Sequence, residues 1–396
     1  MKLLKKLDWK KLDWIKYKIK QIINLEGVKK MKTLKKISLL FVLIFLYTFV
    51  LSRNYAPETI AVKGEEIKIS EIQIIPVGEV VGIKLYTSGV LVVGTSGIQG
   101  EDGKIYKPYE NVEIREGDSI ISINDNIVNN TNELINAINL CNGQKIKIKY
   151  IRDDKEKECE IMPVKGTEGK YKIGLWVRDS VAGVGTITFY NELTQSFAAL
   201  GHAITDIDTG DIIQTSSGEI DDVNIISIVK GVNKEPGKIQ GAIKSNSAIG
   251  NIYKNTQYGI YGIIKDMDSL ELDYSKKMNV ATRQEITLGE ATLLSDSDGE
   301  TKEYKIEIEK VYYNNNQDNK SMEIKVTDDK LLAKTGGIIQ GMSGSPVIQN
   351  GKFCGAVTHV FVNNPTCGYA VFADKMIQEL ADVENWRIIY EVDSNY

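Results

Sequence analysis

The spacing of apolar and polar residues reads as β-strand along most of the chain. Glu79–Leu85 and Gly89–Gly94 are short apolar runs bounded by glycine and polar turns. Ile114–Asp125 carries a Gly-Asp turn, then alternating apolar positions, then an Asn-Asp turn, and Ile146–Tyr150 alternates again. Beyond Gly174 the same period of two recurs in Gly185–Tyr190 and Tyr304–Glu309, with polar loops at Ser295–Thr301 and Asn314–Lys320. This is the half-buried strand pattern. Two stretches in this region read as helix. One opens on Asn130 and Glu133, a capping-box-like start, carries Leu134, Ile135, Ile138 and Cys141, and ends at Gly143; the other lies around Met376–Ala381. A different pattern occupies Ile37–Ser52, an uncharged run of Leu, Phe, Ile and Val. As a helix it spans roughly 24 Å against a hydrocarbon core of about 30 Å. Lys35, Lys36 and Arg53 can snorkel to cover the difference. The expected organisation is a basic cytoplasmic segment (1–36), a transmembrane signal-anchor (37–52), a linker (53–71), a first folded domain (72–165) and a second (174–396).

Composition is that of a globular chain: 396 residues, 42% hydrophobic and 26% charged, enough for two or three domains. The net charge of −4 conceals a split, because residues 1–36 hold 13 lysines and 3 acids, leaving about −14 on the remainder. A basic head before an acidic body predicts contact of the head with an anionic membrane surface and argues against nucleic acid as a partner of the body. The positive-inside rule then sends the residues after about 54 across the membrane. A cleaved signal peptide has the same shape, but no Ala-x-Ala site follows the run. Lys5–Trp9 repeats as Lys10–Trp14, the form of a basic amphipathic helix, while Met31–Lys36 alone is an ordinary start to a signal segment, so Met1 and Met31 are both admissible starts. The four cysteines (Cys141, Cys159, Cys354, Cys367) form no Cys-x-x-Cys, and a Cys354–Cys367 disulfide or two isolated thiols remain open.

The chemistry concentrates at Gly341-Met342-Ser343-Gly344-Ser345-Pro346 and Gly201-His202. Glycines around a serine let the backbone turn sharply and leave the Gly341 and Ser343 N–H groups free to face a developing oxyanion. His202 and His359 are the two histidines, and the order His before Ser is that of chymotrypsin-type peptidases. A second Gly-x-Ser-Gly, at Gly94–Gly97, reads as a turn, and Ser345 stands where an α/β-hydrolase elbow requires glycine. Ser345 is the fallback nucleophile. Cys354 and His359 are five apart in a β-run, an odd offset that sends them to opposite faces. No His-Glu-x-x-His exists, and a Ser–Lys pairing with Lys334 or Lys352 leaves His202 without a role. Composition leaves Asp206, Asp208, Asp211, Asp222 and Asp328 all open as the third member.

The strand order of residues 72–165, with Arg115-Glu116-Gly117-Asp118-Ser119-Ile120-Ile121-Ser122-Ile123-Asn124, resembles a PDZ domain. That resemblance implies peptide capture by strand addition at Gly82-Ile83-Lys84-Leu85. The blocks Gly174–Ser180, Ala182–Thr186, Ala199–Ile204 and Thr335–Pro346 together resemble the stage IV sporulation protein B family, membrane-anchored serine peptidases of endospore-forming bacteria. The fold this implies is mainly β: an anchor helix, an α+β PDZ domain and a chymotrypsin-like peptidase domain. The implied site is Ser343 as nucleophile, His202 as general base and, from Thr327-Asp328-x-x-Leu331-Leu332, Asp328 as the acid, with the Gly341 and Ser343 amides as oxyanion hole. Neither metal nor organic cofactor is implied. The implied setting is the forespore membrane, with the catalytic domain in the space facing the mother cell. The implied substrates are the chain itself, cut between Arg53 and about Lys68, and a membrane-bound regulator of sigma-factor processing. The competing reading is a PDZ scaffold with an inactive peptidase-like domain.

Overall fold

In a computed structural model of the chain, the described residues are 59–62, 65–270, 272–297, 299–313 and 319–382. The expected basic segment and anchor lie outside them, and no helix among the described residues is long and apolar enough to cross a membrane. The described part of the expected linker pairs Thr59–Val62 antiparallel with Glu65–Lys68, and Ile69 and Ile72 are buried with Met376, Ile377 and Leu380.

Strand β1 (Gln73–Pro76) leads into β2 (Val80–Thr95), which is long enough to serve two bodies. Its far end pairs with β3 (Ser119–Ile123) at Val90–Leu91. Helix α1 (Thr131–Leu140) follows, then β4 (Ile146–Arg152) on β3 and β5 (Lys155–Ile161) on β4. The helix starts as its sequence requires: Asn130 Oδ1 accepts from the Glu133 N–H, and Glu133 Oε2 accepts from the Asn129 N–H. Its apolar face buries Leu134 and Ile138 against Val92, Ile120, Ile148 and Tyr150. This is the PDZ-like unit.

The chain returns along β6 (Leu175–Asn191), antiparallel to β2 from Leu175↔Thr95 to Thr186↔Val80. Strands β7 (Ser196–Ala199), β8 (Thr215–Val229), β9 (Lys238–Thr256) and β10 (Gly259–Ile264) complete a first barrel in the order β2-β8-β9-β10-β7-β6, closed by the β6–β2 pairing. Val81, Ile83, Leu85, Ile187, Phe197, Ile220 and Ile260 fill it. Six further strands make a second closed barrel: β11 (Gly289–Ser295), β12 (Lys302–Val311), β13 (Met322–Val326), β14 (Pro346–Gln349), β15 (Lys352–Phe361) and β16 (Asn364–Phe372). Helix α2 (Asp329–Thr335) precedes β14 and α3 (Ala373–Gln378) follows β16. In β12 the alternation read from sequence holds, Tyr304, Ile306 and Ile308 facing in. Two adjoining six-stranded antiparallel barrels are the architecture of chymotrypsin-like peptidases.

The organisation differs from a PDZ domain followed by a peptidase domain. The PDZ-like unit is inserted between two neighbouring strands of the first barrel, and β2 and β6 run through both. Gly82-Ile83-Lys84-Leu85 is therefore barrel wall, paired on one edge with Val181–Val184 and on the other with Gly218–Asp221. A strand with both edges occupied has no amides left for a peptide carboxylate. Ile83 and Leu85 point into the barrel core. The short apolar run at 79–85 suits either setting, which is why local pattern assigned it to the neighbouring unit.

Candidate active site

The loop around Ser343 follows from backbone constraints. Gly341 and Gly344 take φ of +101° and +99°, where a side chain is strained. A Cβ on Gly344 would stand 2.1 Å from the Thr186 carbonyl oxygen. Met342, between them, is fully buried in the second barrel and anchors the turn. The loop is also held from the first barrel: the Thr186 N–H donates to Ser343 O (3.0 Å), and Thr186 Oγ1 donates to Gly341 O (2.7 Å). Neither the Gly341 nor the Ser343 N–H has an acceptor among the described residues. These are the two donors an oxyanion hole needs.

His202 is presented by a second tight turn. Leu200 and Gly201 both take left-handed φ (71° and 69°) directly after β7, and the Gly201 N–H closes onto Ala199 O. Nδ1 of His202 lies 2.7 Å from Ala203 O. A carbonyl only accepts, so Nδ1 carries the proton and Nε2 is the basic nitrogen. Burial holds this imidazole below its ordinary value, opposed by the bond to Ala203. His202 and Ser343 line one cleft of about 590 Å³, with Ile83, Val184, Gly341 and His359 among its walls. Ser343 Oγ donates to Thr358 O at 2.9 Å. The His359 ring lies against that of His202, centroids 5.1 Å apart. Thr186 and Thr358 act through positions fixed by distant pairing, and Ala203 through a backbone carbonyl that any residue carries, so none of the three was assigned a role from sequence. His359 had one: it is the second of two histidines.

Among the described residues no carboxylate bonds to His202. Asp328 is the N-cap of α2, its Oδ1 accepting from the Lys330 and Leu331 N–H groups and its Oδ2 from the Lys305 N–H. Asp206 and Asp208 pair with Arg178, Asp222 pairs with Lys244, and Asp211 Oδ2 lies beside Gly117. Lys352 is tied to Glu285. Cys354 is buried in the second barrel, its thiol pushed up to about 12 by burial, while His359 faces the cleft. Cys354 and Cys367 are free thiols. Ser345 is fully buried, and among the described residues its Oγ has no partner.

The geometry at Asp328 makes a prediction. Asparagine caps a helix as well as aspartate does, whereas alanine costs about 1 kcal/mol. Asp328→Asn is expected to keep peptidase turnover within threefold and Asp328→Ala to lower stability by that amount. A roughly 10⁴-fold loss in a fully folded Asp328→Asn would instead make Asp328 the partner of the imidazole. Urea unfolding and turnover on the same samples decide.

The PDZ-like unit has its own groove, of about 540 Å³, between α1 and the start of β6. Leu134, Ile135, Ile138, Gly174, Leu175 and Trp176 line it, and Trp176 is 63% exposed. Over residues 175–178, β6 pairs with β2 along one edge only.

Comparison with known proteins agrees with these features. A family model described as SpoIVB peptidase S55 matches residues 169–377, and a PDZ domain model matches residues 101–162. No curated protein matches the chain. Among solved structures, the PDZ domain of an SdrC-like protein from Listeria monocytogenes is 26% identical over 23% of this chain and 87% of its own, with a TM-score of 0.18. The HtrA-type protease AlgW with decapeptide is 10% identical, covering 54% of each chain, with a TM-score of 0.31. The Rv3671c protease from M. tuberculosis in its active form is 12% identical over 65% of this chain and 88% of its own, with a TM-score of 0.28.

Proposed function

The chain belongs to the SpoIVB peptidase family, and from that premise we propose that it is a regulatory serine endopeptidase whose nucleophile is Ser343 and whose general base is His202. One observation carries the assignment: an imidazole whose Nδ1 is tied to Ala203 O shares a cleft with a serine beside two N–H groups that have no acceptor among the described residues. In the reaction Ser343 Oγ leaves Thr358 O and attacks a peptide carbonyl as Nε2 takes its proton. The Gly341 and Ser343 N–H groups receive the oxyanion, and His202 returns the proton to the leaving amine. Ala203 O, accepting from Nδ1, fixes the tautomer.

The substrates of this reading are the chain's own Arg53–Lys68 stretch and a membrane-associated regulator of sigma-factor processing. The groove beside Trp176 receives an extended segment of either by strand addition. The setting is the space between forespore and mother-cell membranes, with the chain tethered once at residues 37–52. The scaffold reading draws on one observation, the Ser343 hydroxyl bonded to Thr358 O rather than to His202. Reaction of the full chain with a peptidyl diphenyl phosphonate, followed by intact mass and peptide mapping, separates the two. A covalent adduct on Ser343 supports the peptidase, and its absence supports the scaffold.

The pH profile follows from the buried imidazole. The base works when neutral, so a value held below 6.5 moves the acid limb of kcat/KM to below pH 6.5. An acid limb centred above 6.5, measured as labelling rate against pH, would mean that burial does not govern this imidazole in the working enzyme.

A further inference from the structure

The two oxyanion-hole donors are held by unrelated means. The Ser343 N–H belongs to the Met342–Ser343 peptide, whose carbonyl accepts from the Ser345 N–H at 3.0 Å within the same turn. The Gly341 N–H belongs to the Gln340–Gly341 peptide, whose carbonyl accepts from the Ile239 N–H of β9 at 2.8 Å. All described peptide bonds are trans. In a trans unit the N–H points opposite to the C=O. Holding Gln340 O on Ile239 therefore turns the Gly341 N–H towards the cleft, and releasing it frees the unit to rotate away.

The hairpin that does this belongs to the first barrel but fastens to the second. Its tip, between β8 and β9, donates from Gly231 N–H to Thr335 O (2.8 Å) and from Lys234 N–H to Val362 O (2.8 Å). It accepts the Gln340 N–H on Gly237 O (2.8 Å), so both backbone groups of Gln340 are taken by the hairpin. The turn admits no side chain at Gly237, where a Cβ would lie 2.3 Å from Val229 O. Ile239 itself is buried, its side chain packed over Gly341. The Ile228↔Ile239 pairing leaves the Ile239 N–H directed outward from the hairpin, to Gln340.

Resting on the serine-peptidase reading above, we infer that Ile239, through its backbone N–H, is the positioning residue for the Gly341 arm of the oxyanion hole, and that the β8–β9 tip sets whether this hole is assembled. The Ser343 nucleophile and His202 lie outside this control. Loss of the Ile239 bond therefore lowers the chemical step and leaves reagent binding unchanged.

The test uses the full chain and a peptidyl diphenyl phosphonate, read as the saturating labelling rate of Ser343 and the reagent concentration giving half that rate. Ile239→Pro removes the N–H. Replacing Ile239 by its α-hydroxy acid analogue removes the same N–H while keeping the side chain, and serves where the proline does not fold. The expected result is a saturating rate lower by about 10²–10³-fold, the loss typical of one oxyanion donor, with an unchanged half-saturating concentration and unchanged final labelling. Misfolding would instead reduce the final labelled fraction. A saturating rate within threefold of wild type in a folded variant overturns the inference and leaves the peptidase standing. A wild type that never labels overturns both.

Discussion

Ser343→Ala is expected to abolish peptidase turnover, by about 10⁶-fold in kcat if nucleophile and base act as one unit. His202→Ala should lose a similar factor, and the double variant little more than either alone, because removing one member already disables the other. Ser345→Ala should behave oppositely. Its hydroxyl is buried without a partner among the described residues, so the methyl is accommodated and the loop retains its hydrogen bonds, and turnover should stay near wild type. Intact-mass analysis of self-processing, beside turnover of a peptide substrate, checks all four proteins. Additive losses in the double variant would mean that His202 and Ser343 do not act together.

The second large effect is on stability. Arg283 and Asp374 are only 6% and 4% exposed and are joined by a 2.7 Å bond from Nε to Oδ2, with the guanidinium 5.1 Å from the Phe372 ring centre. Arg283→Met leaves a buried carboxylate without its counter-charge and is expected to cost about 3–5 kcal/mol at pH 7 in urea unfolding. Burial already raises the Asp374 carboxyl above its ordinary value, with Arg283 opposing. Without the arginine it rises further, so the folded variant binds a proton that the unfolded chain does not. Its stability deficit should shrink as pH falls towards the unfolded value near 3.8. Replacing both partners by apolar residues of similar size should recover most of the loss. A deficit that ignores pH would assign the cost to lost packing instead.

The parts of this molecule that were legible in its sequence are those whose constraint is local. Gly341 and Gly344 announce a turn because their backbone angles need glycine, and Asn130 with Glu133 announces a helix because the cap closes within four residues. The nesting of the PDZ-like unit was not legible. Val80–Leu85 has the same short apolar run in either body, and what assigns it to the barrel is pairing with Val181–Thr186, about a hundred residues on. The same holds for the surroundings of the imidazole. Thr327-Asp328 offers a carboxylate at the expected distance along the chain, but α2 begins at the next residue, and its open N–H groups take both neighbouring bonds. Ile239 gave no signal, since it contributes a backbone donor that any residue but proline has.

The run of β6 from Leu175 to Thr186, bulged twice against β2, also makes the molecule a calliper. The strand begins at the groove beside α1 and passes under the Ser343 loop at Thr186. Eleven residue steps at about 3.3 Å set an upper span of roughly 36 Å between the two stations. A segment lying in both at once needs about ten extended residues between the part that is gripped and the bond that is cut. On the proposed reading, selection is expected to fall on spacing along the substrate more than on the side chains beside the cut. Inserting or deleting residues between those two parts of a substrate should abolish cleavage even where the cut sequence is untouched.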